Sequence, residues 1–209
     1  MNQGKFITFE GGDGCGKSTQ LGLTVAWLEA QGKDVFQTFE PGDTPLGGEI
    51  RRLLLSGEFM PVPACELLLF LADRAQHVEQ VIKPALAAGK WVVCDRYTDS
   101  TLAYQLAGRK LEDDAELRAM LAWAEQGLMP DVTLWLDLSV AEAAQRMAGR
   151  VAGGEAGNRL DDEKKSFHEA VYHAFQTIHQ ENLQRVQRID ASQGIDAIQQ
   201  DIQNELKVL

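Results

Sequence analysis

A chain of 209 residues, 44% hydrophobic and 24% charged, can bury a full core and has the proportions of a soluble globular protein, which excludes a disordered one. Its 31 Asp and Glu against 20 Lys and Arg leave a net charge of -11, which argues against a nucleic-acid partner, because duplex binding needs a basic stripe. No apolar run approaches the roughly 20 residues that span a bilayer; none exceeds six residues, and Leu67 to Ala72 stops at Asp73 and Arg74, so no membrane partner is expected.

In chain order, Lys5 to Glu10 is a β-branched and aromatic run ending in glycines, a buried strand. Lys17 to Gln31 carries Leu21, Val25 and Leu28 at helical spacing and stops at Gly32. Asp34 to Thr38 reads as a second strand, Glu40 to Gly48 as turn, and Glu49 to Leu55 as helix. Cys65 to Ala88 is one long helix, with a kink expected at Pro84. Trp91 to Cys94 is a buried strand ending in Asp95, followed by helices over Thr98 to Leu106 and Asp113 to Glu125. Strand Val132 to Leu138 and helix Val140 to Met147 lead into Gly149 to Asn158, whose four glycines predict a flexible loop. A helix from Asp162 to Gln184, a strand at Val186 to Ile189 and a helix from Ile195 close the chain. This alternation predicts a single α/β domain over residues 1–209, with a parallel sheet of about five strands and helices on both faces. Such sheets bind ligands beyond their C-terminal strand ends, where Glu10, Asp95 and Asp137 fall. The start of the chain shows no signal-peptide core. Cys15, Cys65 and Cys94 are odd in number and lack metal-ligand spacing, the pattern of a reduced, cytoplasmic protein.

Gly11-Gly12-Asp13-Gly14-Cys15-Gly16-Lys17-Ser18 satisfies the phosphate-binding P-loop pattern between a predicted strand and a predicted helix. Glycines let successive N–H groups turn around a phosphate, and the following helix adds its positive end. Lys17 supplies a point charge to the outer phosphates and Ser18 a hydroxyl for Mg²⁺. This is a nucleoside-triphosphate site. The chain lacks the Asn-Lys-x-Asp that reads guanine in switch GTPases. Its strand Trp91 to Cys94 leads into Asp95-Arg96-Tyr97 instead of the Asp-Glu pair of motor ATPases. An acid able to hold the metal shell, followed by a cation able to hold an anionic acceptor, suits phosphoryl transfer between small molecules.

With these residues the chain resembles the bacterial thymidylate kinases over nearly its whole length. Phe9 to Thr19 is similar to the family's P-loop, and Glu40-Pro41-Gly42 with Thr44 to its Arg-Glu-Pro-Gly-Gly-Thr turn. Leu69-Phe70-Leu71-Ala72-Asp73-Arg74-Ala75-Gln76-His77 resembles its base-binding helix. Asp95-Arg96-Tyr97, Ser100-Thr101 and Ala103-Tyr104-Gln105 resemble its acceptor segment, and Pro130 to Leu134 with Leu136-Asp137 the strand before its lid. The resemblance implies a P-loop kinase fold with a short mobile lid at about 148–162. It implies transfer of the γ-phosphoryl group of ATP to dTMP with Mg²⁺, and a homodimer.

The roles it implies follow residue by residue. Gly11, Gly12, Asp13, Gly14, Cys15, Gly16, Lys17, Ser18 and Thr19 would cradle ATP together with Arg146, and Ser18 and Asp95 would hold the metal. Phe70 would stack on thymine while Arg74, four residues on and so on the same helix face, donates to a base carbonyl. Arg51 and Arg96 would grip the acceptor's 5′-phosphate, where a guanidinium can bind two oxygens at once. Ser100, Thr101 and Gln105 would read the pyrimidine edge. Asp13 and Glu40 would lie near the sugar and the metal, and Tyr104 would crowd a 2′-hydroxyl. No general base is needed, since the acceptor phosphate is already an oxyanion. Lys17 and Arg96 would be joined in catalysis by a lid arginine, because the P-loop position that carries one in some relatives is Gly14 here. Arg150 and Arg159 are the candidates, with Arg159 preferred.

Four departures stand out. Phe39 replaces the family's Arg, Asp43 a second Gly, and Leu106-Ala107 two glycines after Gln105. The lid is lengthened by Val151 to Asn158. Two alternatives stay open: another P-loop nucleoside or nucleotide kinase, and a nucleotide-binding regulator without catalysis.

Overall fold

A computed structural model describes residues 4–153 and 157–209, without the side chains of residues 150 and 151. Among them a five-stranded, all-parallel sheet has the order β2-β3-β1-β4-β5, made of β1 (Phe6–Glu10), β2 (Val35–Phe39), β3 (Trp91–Asp95), β4 (Val132–Asp137) and β5 (Val186–Asp190). β1 lies at the centre, between β3 and β4, and all of its residues are buried. The period-two alternation of side chains divides the core between two faces. Ile7, Phe9, Trp91, Val93, Val132, Leu134 and Leu136 pack with α1 (Lys17–Ala30) and α9 (Ile195–Leu206). Phe6, Val92 and Cys94 point the other way, onto Val78, Ile82 and Tyr97. Trp135 meets Val171 and Phe175 of α8 (Lys165–Glu181) on that second face. Helices on both faces hide a sheet whose strands are apolar on both sides.

Several boundaries differ from the sequence reading, each for a local reason. α2 (Pro45–Leu55) begins four residues before Glu49, because Thr44 caps it by accepting from Gly47 N–H and Pro45 takes the first turn. The long helix runs as α3 (Pro63–His77), a π-helical stretch (Val78–Ile82) and α4 (Lys83–Ala87). The disturbance thus falls a turn ahead of Pro84, where the missing N–H and the ring's clash with the preceding turn are absorbed by a wider coil. A second π-helical stretch (Leu102–Gly108) follows the short α5 (Thr98–Thr101). α6 (Ala115–Glu125) packs on α3 through Leu67, Leu71, Leu121 and Ala124. α7 (Val140–Ala152) runs through Gly149, so the first part of the predicted loop is helical. Of the lid expected at 148–162, residues 154–156 lie outside the described residues.

Candidate active site

The C-terminal ends of β2 and β3 and the loop after β1 open into one cleft of about 1270 Å³. On one side the chain leaves β1 at Glu10, turns through Gly11 to Gly16 and enters α1 at Lys17. Lys17 is buried against this loop, its Nζ donating to the Gly11 and Gly12 carbonyls at 3.0 and 2.9 Å. Gly14 has φ 80°, and a Cβ there would lie 2.7 Å from the Ala143 carbonyl of α7. Helix packing therefore leaves no room for a side chain at Gly14. Ser18 and Thr19 line the same wall. Beyond them lie Arg146, which donates to the Ala191 carbonyl at 2.9 Å, and the turn Gln193-Gly194-Ile195 ahead of α9. That turn carries no sequence motif; only the return of β5 beside β4 brings it to the cleft.

Arg96 joins this wall to the opposite one. It has a left-handed backbone with φ 70°, unusual for a residue with a side chain. Its guanidinium donates to Gly11 O at 3.0 Å, Ser100 Oγ at 3.0 Å, Asp13 Oδ1 at 2.6 Å and Tyr104 Oη at 3.1 Å. Tyr104 Oη in turn donates to Asp13 Oδ2 at 2.9 Å. Burial opposes ionisation of Asp13, but the Arg96 and Lys17 charges and the bonds from Tyr104 and Arg96 outweigh it and hold the carboxyl at about 2. Beneath them Glu10 accepts from Tyr97 N–H, Ser100 N–H and Ser100 Oγ. Full burial, with Asp99 nearby, still raises it to about 7. Among the described residues Asp95 Oδ1 is buried without a hydrogen-bond partner, and Asp95 lines the cleft with Ser18. A carboxylate and a P-loop hydroxyl facing one cleft are oxygen donors of the kind that suits a hard divalent cation bound chiefly by phosphates.

The far wall is built on α3. Phe70 is half-buried against the Tyr104 and Phe167 cluster and lines the cleft. Arg74 is fully buried: its Nε donates to Glu40 Oε2 at 2.9 Å and its Nη1 to Thr101 Oγ1 at 2.8 Å. His77 Nδ1 lies 2.9 Å from Glu40 Oε1, and its Nε2 lies 2.6 Å from Thr38 Oγ1, which donates to Asp43 at 2.5 Å. Asp43 thus becomes the end of a buried polar chain. Asp73 accepts from Gly42 N–H, yet burial and the Glu40 charge raise it to about 7. Arg51 donates to the Pro41 carbonyl at 2.7 Å, and its guanidinium carbon lies 5.5 Å over the Phe39 ring. Where the turn lacks a charge at residue 39, it offers a platform for the charge at 51.

The structure therefore brings Asp13, Lys17, Ser18, Glu40, Arg51, Phe70, Arg74, Asp95, Arg96, Ser100, Thr101, Tyr104, Gln105 and Arg146 to one cleft. Arg159, expected as the preferred lid cation, is not among the residues that line this cleft. Its Nε donates to the Leu54 carbonyl at 2.8 Å and its Nη2 to Glu66, a carboxylate at 0% exposure. A guanidinium held by a buried counter-charge roots the chain after α7 instead of reaching toward the P-loop. The side chain of Arg150 lies outside the described residues. Sequence reading also missed Glu66, His77 and Arg109. A signal existed for the first two: Glu66, Asp73, Arg74 and His77 are polar residues at helical spacing in a largely apolar helix.

The sequence model described as thymidylate kinase matches residues 9–202. The chain belongs to the thymidylate kinase family. Curated thymidylate kinases agree over nearly full length. That of Clavibacter sepedonicus is 46% identical, covering 99% of this chain and 96% of its own. Those of Nostoc punctiforme and Alkalilimnicola ehrlichii are 45% and 44% identical, over 98% and 95% of this chain and 96% and 90% of theirs. Membership in the thymidylate kinase family favours neither a different kinase nor a silent nucleotide-binding regulator. Among the described residues no helix is long and apolar enough to cross a membrane.

Proposed function

We propose that this chain transfers the γ-phosphoryl group of ATP to dTMP, giving ADP and dTDP. The observation that carries the reading is the single cleft in which the P-loop lysine shares its walls with Arg51, Phe70, Arg74 and Arg96. Backbone N–H groups of Gly12 to Ser18 and the α1 N-terminus take the β- and γ-phosphates, and Lys17 exchanges its loop carbonyls for phosphate oxygens. Ser18 and Asp95 would hold a magnesium ion, which when bound with ATP would neutralise charge on the outer phosphates. Arg146 and the Gln193 turn flank the base of ATP.

On the acceptor side Phe70 stacks on thymine and Arg74 donates to a base carbonyl. Ser100, Thr101 and Gln105 edge the ring, while Glu40 and Asp13 lie near the deoxyribose. Tyr104 stands where a 2′-hydroxyl would crowd it. Arg51 and Arg96 hold the 5′-phosphate, whose oxyanion attacks without a general base. Asp13 is ionised and paired, so Arg96 keeps its place without surrendering its charge. With Arg159 committed to Glu66, Arg150 is the lid cation, and residues 148–162 form a lid within one domain.

The chain works as a cytoplasmic homodimer in this reading. Leu68 on α3 and Met120 and Trp123 on α6 are exposed at 52%, 39% and 79%, an apolar set on two packed helices that a second copy would cover. Light scattering that gives a monomer at micromolar concentration would remove this part. Steady-state ATP use with dTMP, dUMP, dCMP, dAMP and thymidine tests the reaction itself. Turnover is expected with dTMP foremost; preference for thymidine or dAMP would overturn the assignment.

A further inference from the structure

Glu66 lies on α3 at 0% exposure and accepts four hydrogen bonds. Oε1 takes Gln105 Nε2 and Arg109 Nε, both at 2.9 Å, and Oε2 takes Arg109 Nη2 at 3.0 Å and Arg159 Nη2. Arg109 also pairs with Glu163 and lies 4.7 Å over the Phe167 ring. Two carboxylates and two guanidiniums thus form a neutral, largely buried quartet, the condition under which buried charges persist. Burial alone would disfavour the Glu66 anion, but the bonds from Arg109, Gln105 and Arg159 lower its pKa.

We propose that Glu66 is a positioning residue for phosphoryl transfer, one carboxylate that sets the Gln105 amide in the acceptor site and, through Arg159, seats the root of the segment between α7 and α8. An ionised carboxylate only accepts, so Gln105 must turn its NH₂ toward Glu66 and its carbonyl oxygen away. The acceptor site is thereby offered a fixed hydrogen-bond acceptor. Arg159 is held at the same time by Glu66 and by the last turn of α2, its Nε on Leu54 O and its backbone N–H on Leu55 O at 3.3 Å. Leu55 and Leu160, on either side of this junction, both line the cleft. Glu66 therefore ties together α2, which carries Arg51, α3, which carries Phe70 and Arg74, and the π-helical stretch that carries Tyr104 and Gln105. A shift of any one against the others would misplace acceptor and lid root together. This rests on the reading of Gln105 as part of the acceptor site.

The test is Glu66→Gln, whose amide can both donate and accept and so no longer dictates the orientation of Gln105. Measured well below its Tm, the variant should raise the dTMP KM roughly ten-fold and lower kcat, with the ATP Kd within about two-fold of the parent. Gln105→Ala alone should also raise the dTMP KM, and the double variant should fall short of the product of the two effects. A folded Glu66→Gln protein with unchanged KM and kcat but a lower Tm would reduce Glu66 to a structural charge. Effects that multiply fully would equally overturn the positioning role. An unchanged dTMP KM in Gln105→Ala would instead refute the acceptor-site reading of Gln105. If Glu66→Gln does not fold, Arg159→Lys, which cannot span Glu66 and Leu54 O together, must lower kcat and raise the dTMP KM, or the proposal fails.

Discussion

Arg96 is held in a backbone region that costs a non-glycine residue about 1–3 kcal/mol, and four hydrogen bonds to Gly11, Asp13, Ser100 and Tyr104 offset that strain. The strain aims a guanidinium at the junction of the two walls, which a relaxed strand end could not do. Lys17 is a different case. Its ammonium rests on two loop carbonyls and the Cys15 thiol, contacts made within the loop itself. Lys17→Ala should therefore melt within a few degrees of the parent yet lose kcat by roughly 10²-fold or more, read by calorimetry and steady-state kinetics together. Near-parental turnover would remove the P-loop assignment. Phe70 is half-buried, so truncation leaves Tyr104 and Phe167 packed on each other. Phe70→Ala should raise the dTMP KM roughly ten-fold, the loss of base stacking worth about 1–3 kcal/mol, with the ATP KM little changed. An equal rise in both would assign Phe70 to the core instead.

At the scale of elements, two π-helical stretches do what an uninterrupted helix would not. The first takes up Pro84 without breaking the helix that carries Phe70, Arg74 and His77. The second brings Tyr104 and Gln105 to the cleft while Ala103 and Leu106 stay in the core. Neither stretch is legible in apolar periodicity, because a single wide turn shifts the phase by only one residue. α7 packs against the P-loop at Gly14, so the helix that leads into the proposed lid is already seated on the phosphate-binding loop. This separates the two lid arginines. Arg150→Ala should lower kcat by roughly 10³-fold, as for other arginines that reach a transferring phosphoryl group, with a much smaller change in ATP Kd. Arg159→Ala should raise the dTMP KM as well, because it unseats the lid root. A kcat loss of only a few-fold in Arg150→Ala would rule out Arg150 as the lid cation.

For the molecule as a whole, opposed titrations shape stability. Glu10 and Asp73 have folded values raised to about 7 from ordinary values of 4.5 and 3.8. The folded state therefore binds protons more tightly there, and the associated stability is present below about 4 and lost as pH rises to about 7. Asp13 is depressed to about 2 from 3.8, so its contribution is present above about 4 and lost as pH falls toward 2. The lowered Glu66 carboxyl adds to the acid limb in the same direction. The Tm measured from pH 3 to 8 should pass through a maximum in mild acid, and Asp73→Asn, which keeps an acceptor for Gly42 N–H, should flatten the fall toward pH 8. A Tm that rises steadily to pH 8 in both proteins would contradict these assignments.

Some of this was decided by residue order alone. A P-loop is local: eight consecutive residues between a strand and a helix specify backbone N–H groups, a lysine and a hydroxyl whatever surrounds them. Alternating apolar strands and helices likewise dictate a parallel sheet, because the right-handed crossover leaves few other ways to bury both faces. The wall built on α3 is not local. Glu40, Arg74, Thr101 and Gln105 come from four separate elements, and their pairings follow from where β2, α3 and the second π-helical stretch meet. The same holds for Arg159. Its place beside a glycine-rich stretch suggested reach toward phosphate, but a guanidinium goes to the nearest buried carboxylate, and only the packing of α3 against α2 put Glu66 there. One-dimensional neighbours set the P-loop; burial of charge, which is a property of three dimensions, set the rest.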